Sequence, residues 1–401
     1  MTSSFIILTH VTTASINQGF LPEIIKQGYP VTLLTDHPED HQQSASLAPL
    51  LNHITIHACD VFNPIEVLTT LEKEHISPIA IFSNSDHLQS SCAIVADFYN
   101  LPGKSWPSCH ITKHKAKTRE QLTELGLETL WYYQVSNQTQ LKKIINQITY
   151  PCIIKPNLGV ASINVKKIHS ITELTDYCQT LWQQSPNNSL LIEEFIEGQV
   201  CSIETLGNGK KLQVLGGFRT ELASPPHFIE QGARWVNQFD QETTSALLQM
   251  INQLGVNFGA CHTEFIETPT GPKIIEINYR SVGDYKDFLL DDLFNNQYFK
   301  TIINYLLNNP YRKLTKSNQS AHIHYFTHQQ TGIIQTAPAP AHIQDNQIKI
   351  DLNHFKQEKE FVKQTHSNKD YLAALRLISP NQEILTQSLA EQKNRLQWEI
   401  Q

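Results

Sequence analysis

The chain has 401 residues, of which 40% are apolar and 17% charged, and its formal net charge is -7. This length exceeds what one hydrophobic core usually supports, so we expect two or three domains that share a cleft. The acidic balance and the lack of a concentrated Lys/Arg face argue against nucleic acid binding, and no segment approaches the ~18 apolar residues of a membrane span.

The seven cysteines are scattered along the chain and form no CxxC pair. Several stand beside apolar residues, which is typical of buried free thiols in a reducing compartment. The N-terminal segment MTSSFIILTH lacks the basic region and the long apolar stretch of a signal peptide. We therefore expect a cytoplasmic protein.

The first hundred residues alternate between short apolar runs and segments with helical spacing. The predicted strands are residues 5–8, 31–34, 54–57 and 79–82, and the predicted helices are residues 20–27, 65–74 and 88–99. This alternation predicts a parallel sheet with helices on both faces. Ligands bind at the carboxyl ends of such strands, and the polar residues there are Thr9, His10, Thr35, Asp36, Ser83 and Asn84. We weigh a ligand role for them equally against ordinary polar loops.

Further along, the chain combines strand-like runs with single helices. A helix is predicted over residues 113–125, ended by Gly126, and another over residues 243–255. Strand-like runs cover residues 151–165 and 189–218, and residues 260–265 and 273–278 form a predicted strand pair. From about residue 309 the pattern is that of a small mixed region, with a strand at 321–326 and a helix at 382–397.

Oxygen-bearing side chains cluster in the segment ACHTEFIETPTGPKIIEINYR. Glu276 and Asn278 would share one strand face, and a turn near Gly271 would bring Glu264 opposite them. Three oxygen ligands without Cys or His suit a hard cation such as Mg²⁺. Arg280 would continue that face and can form two parallel hydrogen bonds to an anion. The alternative is an exposed charged hairpin, which the apolar neighbours in both strands disfavour.

A second segment, PCIIKPNLGVASINV, indicates an anion site. Lys155 ends an apolar strand, where a lysine is costly without an anionic partner. The loop that follows has the small residues Gly159, Ala161 and Ser162, whose N–H groups can approach a phosphate closely. No GxxxxGK[ST] motif is present, so this is not a P-loop.

A third segment, LLIEEFIEGQVCSIE, follows an apolar strand with Glu193, Glu194 and Glu197 before a turn at Gly198. A crossover of the chain between two lobes would present backbone groups to an adenine at this point.

Taken together, these segments resemble a known family. Lys115 followed by Arg119, then KPNLGVAS, EEFIEG, HTEF and EINYR, stand in the order and spacing of the ATP-grasp carboxylate–amine ligases. The resemblance covers about residues 5–380. Within the superfamily the chain is similar to the bacilysin-type L-amino-acid ligases and carnosine synthase. It is also similar to the ATP-grasp synthetases of carboxylate siderophore pathways, of the vibrioferrin kind.

The resemblance implies an α/β protein with the ATP-grasp fold. An N-terminal parallel α/β (pre-ATP-grasp) domain would cover residues 1–105 and the ATP-grasp core residues 106–308, with a lid subdomain at about 130–195. A small C-terminal α+β domain would cover residues 309–401.

The resemblance also assigns roles to the matching positions. Lys115 and Lys155 would contact the ATP phosphates, beneath a lid that includes Ser162. The adenine hinge would be formed, mostly through backbone groups, by Glu193, Glu194 and Ile196. One or, as we expect, two Mg²⁺ or Mn²⁺ ions would be held by Glu264, Glu276 and Asn278.

The remaining implied roles concern chemistry and substrate. Arg280 would stabilise the transferring phosphoryl group, so the implied catalytic residues are Arg280 and Lys155. The segment HFIEQG matches a part of the family that contributes to the substrate side. It nominates Glu230, with Arg219 and Arg234 as nearby anion clamps.

The sequence departs from the family pattern at three places. The lid, usually richer in glycine as SxGV, reads Ser162-Ile163-Asn164-Val165, which would stiffen it. A glutamate that often binds the ribose is replaced by Val200, and Glu197 or Glu204 are alternatives for that role. EINYR replaces the usual EINPR and keeps every ligand.

Three histidine pairs are spaced four residues apart, as in a helical metal chelate. They are His37/His41, His53/His57 and His110/His114. None belongs to an HExxH motif, and in a chain with 18 histidines such pairs arise by coincidence.

The predicted function is therefore ATP-dependent amide bond formation through an acyl phosphate, with release of ADP and phosphate. The substrates would be small carboxylates and amines, an amino acid among them. The sequence leaves open whether the protein forms a homodimer. The close alternative is a siderophore synthetase that condenses a hydroxy- or ketoacid with an amino acid. A small-molecule kinase and an inactive ATP-binding protein are less favoured, because the lysines and carboxylates are intact.

Overall fold

The computed structural model describes residues 2–224 and 228–401. Three regions follow one another along the chain: a parallel sheet with helices, a small antiparallel sheet, and a nine-stranded sheet. Within the described ranges, no helix is long and apolar enough to cross a membrane. All seven cysteines are buried and free, as the sequence predicts.

The N-terminal region is a four-stranded parallel sheet in the order β3-β2-β1-β4. Its strands are β1 (Thr2–Leu8), β2 (Val31–Thr35), β3 (Ile54–Ala58) and β4 (Ile76–Phe82). Its α-helices are α1 (Leu21–Lys26), α2 (Pro38–Gln42), α3 (Pro64–Lys73) and α4 (Gln89–Phe98). A π-helix (Ser15–Phe20) leads into α1, and a 3₁₀ helix (Ala48–His53) precedes β3.

Both faces of this sheet are covered, which explains its uninterrupted apolar strands. Phe5 and Ile7 pack on one side, in the core cluster that contains Ile24 of α1. Ile6 and Leu8 pack on the other side, in the cluster that contains α3 and α4 residues. The prediction of a parallel sheet with helices on both faces is confirmed.

Two helices follow where one was predicted. They are α5 (Trp106–Lys113) and α6 (Lys115–Glu124). His114 separates them, with an extended backbone at φ -99° and ψ 103°. The predicted helix over residues 113–125 corresponds to α6, whereas α5 was not predicted. The Ser105 side chain caps α5 by accepting the Ser108 N–H. Gly126 follows α6 with φ +67°, the left-handed conformation that ends helices.

The second region is an antiparallel sheet in the order β5-β8-β6-β7. Its strands are β5 (Tyr132–Val135), β6 (Cys152–Pro156), β7 (Lys166–Ile168) and β8 (Leu190–Glu194). The helices α7 (Gln138–Ile144) and α8 (Ile171–Gln184) accompany it, with a 3₁₀ turn (Ile145–Gln147) after α7. Their apolar residues form one core cluster with the strands.

The third region is a sheet in the order β13-β12-β9-β10-β11-β14-β19-β17-β16. Its strands are β9 (Gln199–Asn208), β10 (Leu212–Leu222), β11 (Glu230–Val236), β12 (Phe258–Glu267), β13 (Lys273–Asn278), β14 (Ser320–Phe326), β16 (Ala341–Gln344), β17 (Lys349–His354) and β19 (Ala373–Ser379). Its helices are α9 (Gln241–Gln253), α10 (Lys286–Leu293), α11 (Tyr298–Leu306) and α12 (Gln382–Arg395). A separate small sheet joins β15 (Gly332–Thr336), β18 (Phe361–Val362) and β20 (Glu399–Ile400).

The nine-stranded sheet runs across the predicted boundary at residue 309. Strand β11 pairs with β14, so the C-terminal strands extend the sheet of the preceding region. The prediction of a strand pair at 260–265 and 273–278 is confirmed, since β12 and β13 pair antiparallel with Glu264 opposite Glu276.

Candidate active site

A cavity of about 360 Å³ lies between the small antiparallel sheet and the nine-stranded sheet. The predicted site residues that line it are Lys115, Lys155, Ser162, Glu193, Glu194, Ile196, Glu230, Glu264 and Glu276. A smaller adjoining cavity shares Lys115, Gly159 and Glu276 and adds Asn278. The fold thus gathers in one place residues from five separated segments of the chain.

Lys155 stands at the end of β6 with its ammonium almost fully buried. Its Nζ lies 2.5 Å from Glu193 Oε1 and 3.4 Å from the Ile275 carbonyl oxygen. Burial lowers the pKa of Lys155, while the Glu193 carboxylate opposes that shift. The anionic partner required by its burial is therefore an internal carboxylate beside the cavity.

Glu193 belongs to a buried ion network that sequence reasoning missed. Its second oxygen, Oε2, accepts from Arg119 Nε at 2.9 Å, and Arg119 Nη1 donates to Glu128 Oε2 at 2.8 Å. Because both Glu193 oxygens are engaged, this side chain positions Lys155 rather than facing an adenine. The motif Lys115–Arg119 was the available signal, since it places Arg119 one helical turn after Lys115.

Glu276 forms an ion pair with Lys115. The Lys115 Nζ lies 2.7 Å from Glu276 Oε2 and also donates to the Gly159 carbonyl at 2.7 Å. Asn278 Nδ2 donates to Glu276 Oε1 at 2.8 Å, as expected for neighbours on one strand face. Burial alone would raise the pKa of Glu276, but Lys115 and these hydrogen bonds lower it to about 2. Glu276 is thus held as a carboxylate.

Glu264 is held by a buried histidine that the sequence did not single out. His262 Nε2 lies 3.1 Å from Glu264 Oε1, and His262 Nδ1 lies 2.7 Å from Glu204 Oε1. Burial opposes a charge on this imidazole, but the two carboxylates outweigh burial and raise its pKa to about 10. The signal was the HTE spacing, which puts His262 and Glu264 on one strand face.

The loop of residues 157–165 closes one side of the cavity. Ala161, Ser162 and Asn164 have positive φ angles of 56°, 56° and 60°, which residues with a β-carbon adopt at a cost. Asn157 Oδ1 accepts the Ala116 N–H at 2.8 Å, which ties the loop to the start of α6.

Asn368 joins this loop to the nine-stranded sheet, and the sequence carried no signal for it. Its backbone N–H donates to the Ala161 carbonyl at 3.1 Å. Its side-chain Oδ1 accepts the Glu230 N–H, also at 3.1 Å. Asn368 itself lines the cavity, so a C-terminal residue connects the loop with Glu230.

Glu230 faces the cavity at the first position of β11 and pairs with Lys286, whose Nζ lies 2.5 Å from Oε2. Burial raises the pKa of Glu230 against the lowering effect of Lys286. The first residue of the HFIEQG segment, His227, lies outside the described residues, whereas the second, Phe228, lines the cavity.

Arg280 is placed differently from the prediction. Strand β13 ends at Asn278, so the alternation that put Arg280 on the face of Glu276 does not extend to it. Arg280 Nε donates to Asp86 Oδ2 at 2.6 Å, and Asn84 Oδ1 accepts the Ser281 N–H at 3.1 Å. Arg280 therefore lies at the carboxyl edge of the parallel sheet, outside the lining of the large cavity.

The structure does not bring Arg219 and Arg234 to the cavity. Arg219 pairs across strands with Arg234 and with Cys201, whereas Glu264 pairs with Ser202. Neighbouring residues of a strand point to opposite faces. The two arginines therefore lie on the sheet face opposite Glu264, which corrects their assignment as substrate clamps.

Their partners agree with this placement. Arg219 Nη2 lies 2.9 Å from Glu267 Oε2, and Arg234 is exposed. Glu204 does not serve a ribose either, because its Oε1 is taken by His262 and Ser202.

Comparison with known proteins identifies the fold. Residues 148–287 match the family model of an ATP-grasp domain. The chain therefore contains an ATP-grasp domain over this range. The matched range contains the cavity residues Lys155, Glu193, Glu264 and Glu276.

The curated relatives match parts of longer proteins. Over 196 residues the chain is 28% identical to the uncharacterized protein y4rH of Sinorhizobium fredii, a match that covers 46% of this chain and 40% of that protein. Over 233 residues it is 22% identical to the carbamoyl phosphate synthase large chain of Saccharolobus islandicus, covering 55% and 22%. The matches thus span less than half the length of these relatives.

Solved structures match over the full length of this chain. An L-amino acid ligase from Bacillus licheniformis superposes with a TM-score of 0.80 at 18% identity, covering 100% of this chain and 99% of that one. Phosphoribosylglycinamide synthetase from Anaerococcus prevotii gives a TM-score of 0.73 at 16% identity, with 100% of both chains covered. At these identities the likeness establishes the ATP-grasp fold.

Proposed function

We propose that the protein is an ATP-dependent carboxylate–amine ligase that forms an amide bond through an acyl phosphate and releases ADP and phosphate. One observation carries the proposal. The cavity of the ATP-grasp fold unites two lysines, Lys115 and Lys155, with the carboxylates Glu264 and Glu276. Cations for phosphates and hard oxygen ligands for a divalent metal are what phosphoryl transfer requires.

The size and lining of the cavity fit a nucleotide. Its volume of about 360 Å³ lies within the range of small-molecule sites. Lys115 and Lys155 would hold the phosphates, and the backbone from Glu194 to Ile196 would bind the adenine. Because the Glu193 side chain is engaged with Lys155 and Arg119, the hinge would act through its backbone groups.

The oxygen donors fit Mg²⁺, with Mn²⁺ as an alternative. Glu264 and Glu276 stand opposite each other across two strands, and Asn278 neighbours Glu276 on the same face. This set contains no sulfur ligand, as a hard cation prefers. When bound, Mg²⁺ would offset the negative charge of the phosphates. We propose two ions, as the sequence resemblance implies.

In this proposal the remaining residues orient the metal ligands and the substrates. His262 contacts Glu264 through Nε2 and Glu204 through Nδ1, and so fixes the position of the Glu264 carboxylate. Glu230 would accept hydrogen bonds from an amino group of the substrate, with Lys286 keeping its carboxylate in place. Closing the loop over these groups would exclude water from an acyl phosphate.

An amino acid joined to another small acid is the version that we favour. The L-amino acid ligase from Bacillus licheniformis shares the fold over the whole chain, and this likeness supports that version. A siderophore synthetase that condenses a hydroxy- or ketoacid with an amino acid remains the alternative substrate pairing. Genes for siderophore exporters beside this one would favour the alternative, whereas peptide transporters would favour the dipeptide ligase.

The test is product analysis. ATP and Mg²⁺ are incubated with pairs of amino acids and small carboxylic acids, and the nucleotides are resolved by chromatography. We expect ADP and phosphate that appear only when both substrates are present. AMP and pyrophosphate as main products would contradict the mechanism, and a stable phosphorylated alcohol would indicate a kinase.

A further inference from the structure

A second group of chemically active side chains lies outside the lining of the ATP-grasp cavity, at the carboxyl edge of the parallel sheet. His10 follows β1, and Asp36 and His37 follow β2. One ligand atom of each residue, two imidazole nitrogens and one carboxylate oxygen, lies within 4.8 Å of the others. None of the three lines the cavity that contains Lys155.

We propose that His10, Asp36 and His37 form a site for a divalent transition metal, of which Zn²⁺ is the best match. Two imidazoles and one carboxylate are a ligand set that suits Zn²⁺ rather than Mg²⁺. The ligands come from two adjacent parallel strands, so the fold itself holds them together.

The distances require only small movements of the side chains. His10 Nδ1 lies 2.8 Å from Asp36 Oδ2, and His37 Nε2 lies 3.7 Å from the same oxygen. Ligand atoms about 2.0–2.2 Å from a tetrahedral metal are separated by roughly 3.4 Å. The two observed separations fall on either side of that value, and the two imidazole nitrogens lie within 4.8 Å of each other.

Tertiary structure changes the interpretation of the histidine spacing. The sequence pairs His37 with His41, four residues later, as a helical chelate. His41 is completely buried, whereas His37 has a side-chain exposure of 46% and stands beside His10, with the two ring centroids 4.8 Å apart. The imidazole next to His37 is therefore that of His10, which follows another strand, and the carboxylates of Asp36 and Asp40 lie on its own segment.

The site would keep an open coordination position. The His10 and Asp36 side chains are 35% and 26% exposed, so the ion would face solvent on one side. Three protein ligands with one free position are the arrangement in which zinc binds water or an anionic group of a small molecule. Because β1 pairs with β4, the site lies on the same sheet edge as the Asn84–Ser281 contact.

The test uses the tag-free full chain and the metal alone. Isothermal titration with Zn²⁺ should give one tight site per chain, and Co²⁺ should give the visible absorption of a tetrahedral complex. His10→Ala and His37→Ala should each weaken binding by at least about 10- to 100-fold. Loss of a residue that merely orients a metal ligand has an effect of that size, and these two histidines would be ligands themselves. Asp36→Asn, which keeps the shape of the side chain, should weaken binding in the same way.

The matched control is the double variant His110→Ala/His114→Ala. These two histidines are four residues apart, and their ring centroids lie 4.3 Å from each other. Within the described part of the chain, however, no carboxylate completes a three-ligand cluster with them. The control should retain the tight site. Equal Zn²⁺ affinity in the wild type and the His10→Ala and His37→Ala variants would overturn the proposal, as would the absence of saturable binding. Circular dichroism of each variant shows whether the fold is retained, and the exposure of the substituted side chains leads us to expect that it is.

Discussion

Lys115 and Glu276, which are 161 positions apart in the chain, form an ion pair with 2.7 Å between Nζ and Oε2. The pair joins the first residue of α6 to β13 and stands where the nucleotide phosphates would lie. Glu276 is held as a carboxylate at this position, because its pKa is lowered to about 2.

The first prediction concerns this carboxylate. Glu276→Gln should sharply weaken Mg²⁺-dependent nucleotide binding, because a metal ligand loses its charge while the side chain keeps its shape. Calorimetry with ATP at several Mg²⁺ concentrations measures the effect. Glu267→Gln is the control, since Glu267 lies on the same strand pair but is held by Arg219 on the opposite face. Unchanged affinity and metal dependence in Glu276→Gln would remove this residue from the metal site.

The second prediction concerns Lys155. Lys155→Met should abolish ATP turnover, since the phosphates lose a cation. It should also lower the free energy of unfolding by about 3–5 kcal/mol, because Glu193 is left buried with one partner fewer. Turnover and urea denaturation are measured on the same preparation. A double variant, Lys155→Met with Glu193→Gln, should regain part of the stability but no turnover. Turnover within a few-fold of wild type in either variant would contradict the assignment.

The third prediction concerns Arg280, which lies outside the lining of the large cavity but pairs with Asp86 beside Glu276 in the adjoining cavity. If an acyl phosphate forms, hydroxylamine converts it to a hydroxamate when the acid and ATP are supplied without the amine. Arg280→Ala should reduce the rate of this trapping about 30- to 1000-fold, equivalent to roughly 2–4 kcal/mol, with little change in ATP affinity.

Asp86→Asn provides a graded companion to this experiment. It removes the carboxylate that orients Arg280 at 2.6 Å but leaves the guanidinium in place, so its effect on trapping should be smaller. Equal hydroxamate yields in wild type and Arg280→Ala would exclude Arg280 from the reaction.

The fourth prediction concerns pH and His262. Its pKa is raised to about 10 in the folded protein, above the ordinary value of 6.5, so folding favours the protonated imidazole. The stability from this group is fully present below about pH 6.5 and is lost as pH rises towards 10. The difference in unfolding free energy between wild type and His262→Gln should therefore shrink steadily from pH 6 to pH 9. A difference that stays constant over this range would contradict the ion network.

The fifth prediction concerns Asn368, which contacts both the loop and Glu230. Asn368→Ala keeps the backbone hydrogen bond to Ala161 but loses the one from Glu230. We expect a higher KM for the acid or amine substrate and more ATP hydrolysis without ligation, with the KM for ATP little changed. Lys369→Ala, an exposed neighbour, is the control. Identical kinetics in the two variants would show that the contact does not position the substrate side.

The sequence by itself determined the local geometry of the site. Residue alternation in β12 and β13 is a property of each strand, so the shared face of Glu264, Glu276 and Asn278 followed from spacing and one turn. The cost of burying a lysine likewise predicted an anionic partner for Lys155, and the apolar runs predicted the parallel sheet.

Only the tertiary structure decided contacts between distant segments. The carboxylate of Glu193 that holds Lys155, the Asp86 partner of Arg280 and the bridge through Asn368 all join elements whose relative position no local pattern encodes. The same holds for the sheet face of Arg219, which depends on the pairing register. Periodicity fixes where a side chain points within its own strand or helix, whereas the packing of whole layers decides which group it meets.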